Sequence, residues 1–172
     1  MRAGSAVASA AVVMVLGVWL SLETVAPAWF EAERYWPLLV AAAGTCFVLG
    51  YVLGGGPWQI FLGLLASGTG MVMFGFTGGI LDWSLLHKLW PLFILVLGIA
   101  GLAYVVALRD APWPLLVPAL GTLLGGSTGL LYGLGMLSLD PVAQLRVIWP
   151  ALLVLTGLTG LLQAMWHVVS RS

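Results

Sequence analysis

The segment WPLFILVLGIAGLAYVVAL, residues 90–108, contains no charged side chain and is long enough to cross the hydrocarbon core of a membrane as a helix. A basic residue precedes its Trp-Pro pair, and a glycine follows eight positions after the tryptophan. The whole motif occurs three times in the chain. Its residues are Arg34, Trp36, Pro37 and Gly44; Lys88, Trp90, Pro91 and Gly98; and Arg146, Trp149, Pro150 and Gly157. Three copies at long spacing indicate an internal repeat.

The composition defines the class of protein. Hydrophobic residues make up 62% of the 172 residues and charged residues 7%, which is too few charges to cover a surface that faces water. This excludes a soluble enzyme or a nucleic-acid-binding domain. We predict an all-α fold, a polytopic membrane bundle of six transmembrane helices. The predicted spans are residues 6–22, 36–53, 58–81, 90–108, 114–137 and 149–169.

The six predicted spans form three tandem two-helix hairpins within a single transmembrane domain, residues 1–172. The repeat units are approximately residues 5–56, 57–110 and 111–172. Because a unit with two spans returns the chain to its starting side, the three hairpins share one orientation. We therefore predict a pseudo-three-fold bundle around an axis along the membrane normal.

Each Trp-Pro pair is expected to begin a helix at a membrane surface. Proline is favoured at the first helical position, where its missing N–H would have had no partner inside the helix. Tryptophan suits the headgroup level, and the basic residue can lie among phosphates. The predicted interface anchors are therefore Arg34, Trp36, Pro37, Lys88, Trp90, Pro91, Arg146, Trp149 and Pro150.

Small residues recur at every fourth position in two of the predicted helices, residues 58–81 and 114–137. Such ridges let helix backbones approach closely, which is how helices associate in lipid. The predicted packing residues are Gly63, Ser67 and Gly75; Gly121, Gly125, Gly129 and Gly133; and the motif glycines Gly44, Gly98 and Gly157. We expect Gly125 to lie at the closest helix contact. A glycine-lined pore is the alternative interpretation.

Chemically reactive groups are sparse in the spans. No Asp, Glu, Lys or Arg falls inside a predicted span, which argues against an ion-coupled pump. His87 and His167 are expected near opposite membrane surfaces, so they cannot ligate one haem together. Cys46 is a lone thiol and a packing residue. We predict no catalytic residue, no metal site and no cofactor. A lipid or pigment bound on the Trp and Gly faces of the helices is the alternative.

Charge gives a weak orientation signal. The hairpin loops contain three basic and five acidic residues, and the opposite side contains three basic residues and one acidic residue. Because the more positive side faces the cytoplasm, we place both termini there. We predict a multi-pass protein of a bacterial cytoplasmic (inner) membrane.

The segments WPLLV at residues 36–40, WPLFILVLG at 90–98 and WPALLVLTG at 149–157 resemble the transmembrane hairpins of LiaI/LiaF-type bacterial membrane proteins. The resemblance extends over nearly the whole chain as three copies. It implies a regulator or anchor in cell-envelope function, with no catalytic residues. LiaF-type regulators also have a soluble C-terminal domain, which residues 1–172 do not include.

Two classes of function follow from these features. The first is a non-enzymatic scaffold, accessory subunit or regulator that packs its helices against other membrane proteins, or against a second copy, among membrane lipids. The second is a small channel or transporter for an uncharged or hydrophobic solute. The hint for the second class is the pseudo-symmetry, together with hydroxyl side chains in the spans.

Overall fold

The computed structural model describes residues 3–25, 31–108 and 115–136, and these residues are helical with short connections. The helices are α1 (Ala3–Val25), α2 (Ala32–Val52), α3 (Pro57–Thr77), α4 (Leu86–Leu89), α5 (Pro91–Ala107) and α6 (Leu116–Gly133). A 3-10 turn, Trp83–Leu85, leads directly into α4. The all-helical prediction is confirmed for the described part of the chain.

Successive long helices run antiparallel and pack on their neighbours in the sequence. Gly4 at the start of α1 lies against Gly50 at the end of α2. Arg34 near the start of α2 reaches the carbonyl of Gly78, which follows α3. The aromatic rings of Phe61 and Tyr104 lie 6.0 Å apart, which brings the start of α3 beside the end of α5. The bundle therefore has two opposite ends.

The two ends of the bundle differ in charge. One end, here called the glycine end, contains the start of α1, the end of α2 and the turn Gly54–Gly56. The other, here called the charged end, carries every charged side chain of the described residues. These are Glu23, Glu31, Glu33, Arg34, Asp82 and Lys88.

Four helices are long and apolar enough to cross a membrane: α1, α2, α3 and α6. A fifth span is obtained if Trp83–Leu89 and Pro91–Ala107, which meet at an angle of 52°, are counted together. The predicted span 58–81 is shorter than expected, because α3 ends at Thr77 and the glycine at position 79 has a φ of 78°. The predicted sixth span, 149–169, lies outside the described residues.

The expected helix start at Trp-Pro is confirmed at one motif and wrong at another. Pro91 is the first residue of α5, with Trp90 as its N-cap. Pro37, in contrast, lies inside α2, which begins five residues earlier at Ala32. The backbone N–H groups of Arg34 and Tyr35 donate to the carbonyl of Glu31, so the turn before Pro37 is already helical. Pro37 is the sixth residue of α2, so its missing N–H removes one hydrogen bond within the helix, and the helix continues past it to Val52.

Candidate functional site

The closest contact between α2 and α3 involves the predicted packing residues Gly44, Gly63 and Ser67. A Cβ atom on Gly44 would lie 2.7 Å from the carbonyl oxygen of Gly63 and even closer to the backbone nitrogen of Ser67. One turn away, a Cβ on Gly70 would lie 2.6 Å from the carbonyl oxygen of Pro37. These distances leave no room for a side chain, so the two backbones touch. The sequence ridges did not include Gly70.

A hydroxyl group lies beside this contact. Ser67 Oγ donates to the carbonyl oxygen of Ala41 at 3.2 Å and lies 3.5 Å from the hydroxyl of Thr45. Thr45 also donates to its own helix, at Ala41 O. Hydrogen bonds between helices stabilise packing where no water competes for the donors. Ser67 therefore links α2 to α3 as well as leaving space for close approach.

The α5–α6 pair has a contact of the same kind. A Cβ on Gly98 would lie 2.6 Å from the backbone nitrogen of Leu123, and a Cβ on Gly126 would lie 2.7 Å from that of Leu95. The residues of this second contact follow those of the first at a similar spacing. Leu95 lies 54 residues after Ala41, and Gly126 lies 56 residues after Gly70. The closest approaches thus join α2 to α3 and α5 to α6, which crosses the predicted unit boundaries at residues 56–57 and 110–111.

The other predicted packing residues of α6 have different environments. A Cβ on Gly133 would clash with the carbonyl of Lys88, and one on Gly129 would lie 3.1 Å from Pro91 Cβ. Gly121 is partly buried. A Cβ on Gly125 would meet no atom within 4 Å in the described part of the chain. The close contact falls on Gly126 instead, because positions four apart rotate by about 40° around a helix of 3.6 residues per turn.

Gly75 of α3 packs on a turn rather than on another helix. A Cβ there would lie 3.0 Å from Leu81 Cδ1, in the segment after α3. The backbone N–H of Leu81 also donates to the carbonyl of Gly75, at 2.7 Å. Gly75 thus lets the chain fold back over the end of α3. Gly157, Arg146, Trp149 and Pro150 lie outside the described residues.

Arg34 is held at the charged end by groups of this chain. Its Nη2 donates to the carbonyl oxygen of Gly78, the C-cap of α3, at 2.9 Å. Its other terminal nitrogen lies 3.8 Å from a Glu31 carboxylate oxygen. A cation at a helix C-terminus is favourable, since the unpaired carbonyls there carry partial negative charge. Arg34 therefore joins the start of α2 to the end of α3, a role that was not predicted.

The remaining anchors of the first two motifs lie at the same end. Trp36 and Trp90 are exposed on 42% and 53% of their surfaces, while Pro37 and Pro91 are buried. The carboxylate of Asp82 accepts a hydrogen bond from the Ser84 backbone N–H at 2.8 Å. That bond lowers the pKa of Asp82 below its ordinary value. Asp82 thus caps the 3-10 turn.

Helix α1 is the least buried of the long helices. Its first two turns pack tightly, with Ala8 fully buried. Beyond them, an apolar crevice of about 220 Å³ opens between residues 14–22 of α1 and residues 38–42 of α2. Val13, Gly17 and Ser21 are exposed and are here called the outer face of α1. A Cβ on Gly17 would meet no described atom within 4 Å.

In the described part of the chain, one polar side chain is completely buried, and sequence reasoning missed it. Gln59, the third residue of α3, has 0% exposure, and neither its Oε1 nor its Nε2 has a hydrogen-bond partner among the described residues. It lies beside Gly50 and Gly55 at the glycine end. A signal was present: Gln59 follows the N-cap Gly56 by three positions, where a glutamine side chain often reaches back over a helix start.

The described residues contain no group of three His, Cys, Asp or Glu side chains placed to hold a metal ion. His87 is exposed at the charged end, and Cys46 is buried in α2. Comparison with family models, with characterised proteins and with solved structures finds no match. The resemblance to LiaI/LiaF-type hairpins stays a prediction.

Proposed function

We propose that the protein is a non-enzymatic membrane scaffold, accessory subunit or regulator, which binds a transmembrane helix of another membrane protein on the outer face of α1. The single observation that carries this proposal is the exposure of Gly17 on a helix whose opposite side packs against α2. The resemblance to LiaI/LiaF-type proteins suggests a place in cell-envelope function. Membrane lipids cover the remaining apolar surface.

The chemistry of the outer face fits a helix better than it fits a polar solute. The Ser21 hydroxyl donates to the carbonyl of Gly17 at 2.8 Å, so it is satisfied within α1. Thr24 is likewise bonded to its own helix, at Leu20 O. Small residues four apart with no free donor allow a partner backbone to approach without leaving polar groups unpaired.

The small-residue contacts of α2 and α5 are already used within the chain. Gly44 and Gly98 touch the backbones of α3 and α6 and therefore cannot receive a partner helix. The same contacts leave no path between α2 and α3 or between α5 and α6. No geometric feature of the described residues favours the channel or transporter alternative over the scaffold.

Gly17→Leu is expected to reduce partner binding at least tenfold while the protein still folds, since a leucine there fills the space that a partner backbone needs. The measurement is photo-crosslinking in the native membrane, with a benzophenone amino acid at Val13 or Leu20, both exposed on α1. The same probe at Val15, which lines the crevice against α2, is expected to give no product with the partner.

Gly125→Leu is the matched control for this experiment, because Gly125 is also a glycine with open space at its Cβ position. It is expected to leave the cross-link unchanged. A product with an apolar segment of a different membrane protein, lost in Gly17→Leu, supports the proposal. A product with residues 149–169 of the same chain, with a second copy or with lipid alone contradicts it.

We also propose that the protein lies in a bacterial inner membrane with six spans in three like-oriented hairpins, arranged with pseudo-three-fold symmetry and with cytoplasmic termini. In a Cys46→Ala background, Ser84→Cys and Gln144→Cys should react with an impermeant maleimide added outside spheroplasts. Leu53→Cys, at the glycine end, should react only after lysis. Protection of Gln144→Cys would contradict the common orientation of the hairpins.

A further inference from the structure

Gln59 and the first two turns of α1 meet at the same two glycines. A Cβ on Gly50 would lie 2.6 Å from Ala8 Cβ, 2.8 Å from the carbonyl oxygen of Gly4 and 3.3 Å from Gln59 Nε2. Gly55 likewise lies between the backbone of Gly4 and Gln59 Oε1. The docked start of α1 is therefore part of what closes the environment of the Gln59 amide.

Burying this amide opposes the docking of α1. A carboxamide that loses water without gaining a protein partner is destabilised, whereas a hydrated one is satisfied. Gln59 belongs to the first turn of α3, at the glycine end of the bundle, where water can reach it once the start of α1 moves away.

The closest packing of α1 lies in its first two turns. The tight contacts of α1 with α2 are concentrated at Gly4 and Ala8. From residue 14 onward, α1 lines the apolar crevice together with residues 38–42 of α2, and the outer face is exposed. Loss of the contacts at the glycine end therefore removes the tightest packing between α1 and α2.

We infer that α1 is a switching helix with a docked and an undocked position. The Gln59 amide, which has no hydrogen-bond partner among the described residues, raises the population of the undocked one. In the undocked position, α1 leaves Gly50 and Gly55, and the Gln59 side chain is hydrated. This inference depends on how the start of α1 packs at Gly50 and Gly55 beside Gln59, and it holds whatever α1 binds.

The test is a distance measurement on the purified full chain in lipid nanodiscs. Spin labels on Ala10→Cys in α1 and Val106→Cys in α5, both exposed positions, report their separation by double electron–electron resonance in a Cys46→Ala background. Two distance populations are expected with Gln59 present. Gln59→Leu, an apolar side chain of similar size, is expected to lower the undocked population about tenfold, which corresponds to about 1.4 kcal/mol.

Gln59→Glu provides a change in the opposite direction, because burying a carboxylate is less favourable than burying an amide. It is expected to increase the undocked population. A single distance that is the same in all three proteins overturns the inference, as does a larger undocked population in Gln59→Leu. Since no partner is present in this experiment, its result is separate from that of the cross-linking at α1.

Discussion

Gly126→Leu is expected to lower the free energy of unfolding by about 3 kcal/mol, at the upper end of what overpacking costs in protein interiors. A Cβ at this position would lie 2.7 Å from the backbone nitrogen and 2.9 Å from the Cα of Leu95. Backbone atoms cannot rotate away as a side chain can, so α5 and α6 would have to separate. An SDS unfolding titration of the purified protein measures the change.

Gly125→Leu is the matched control, because it is the same substitution one residue away on the same helix. Its Cβ position is open among the described residues, and leucine has a higher helix propensity than glycine, so we expect no loss of stability. Equal destabilisation by the two substitutions would contradict the contact between Gly126 and Leu95. Gly126→Ala should give an intermediate loss, because even a single methyl group is too close.

Phe76→Ala is expected to lower the free energy of unfolding by about 2 kcal/mol, below the range for buried phenylalanines in water-soluble proteins because lipid provides no hydrophobic driving force. Phe76 is only 1% exposed, and its ring centroid lies 5.4 Å from that of Trp83. Its removal leaves a cavity between the end of α3 and the 3-10 turn. The same SDS titration measures the loss, with exposed Met71→Ala as the neutral control.

A double-mutant cycle with Trp83→Ala separates the ring contact from the cavity. Aromatic pairs contribute about 0.5–1.5 kcal/mol beyond the area that they bury, so the coupling between the two substitutions should fall in that range. A coupling near zero would mean that Phe76 stabilises α3 without help from Trp83.

The sequence was most informative about where the helices lie along the chain. It was least informative about which face of each helix packs against a neighbour. The apolar lengths predicted α1, α2, α3 and α6 to within a few residues, because helix length in an apolar chain follows from local composition. Pro91 and Pro37 were both predicted to begin a helix. Pro91 does so, whereas Pro37 does not, because the helical turn already begins at Glu31. The identical Trp-Pro pairs differ in their upstream residues.

The candidate sites depended on contacts between residues far apart in the sequence. A ridge through Gly121 and Gly125 satisfies the spacing rule as well as any other stripe, and only the neighbouring α5 selects Gly126. Sequence reasoning overlooked Gln59, which is buried beside Gly50 and Gly55, residues outside its own helix. Neither result is contained in a local pattern.

Composition and spacing therefore determined that this chain is helical, that several helices are long enough for a membrane, and where its charges lie along the chain. These properties follow from how each segment is solvated, which depends on its own residues. The tertiary structure decided that Arg34 caps α3, that Gly126 rather than Gly125 touches its neighbour, and that the outer face of α1 is exposed. A helix carries small residues on several faces, and the choice among them is made by the shape of the helix beside it.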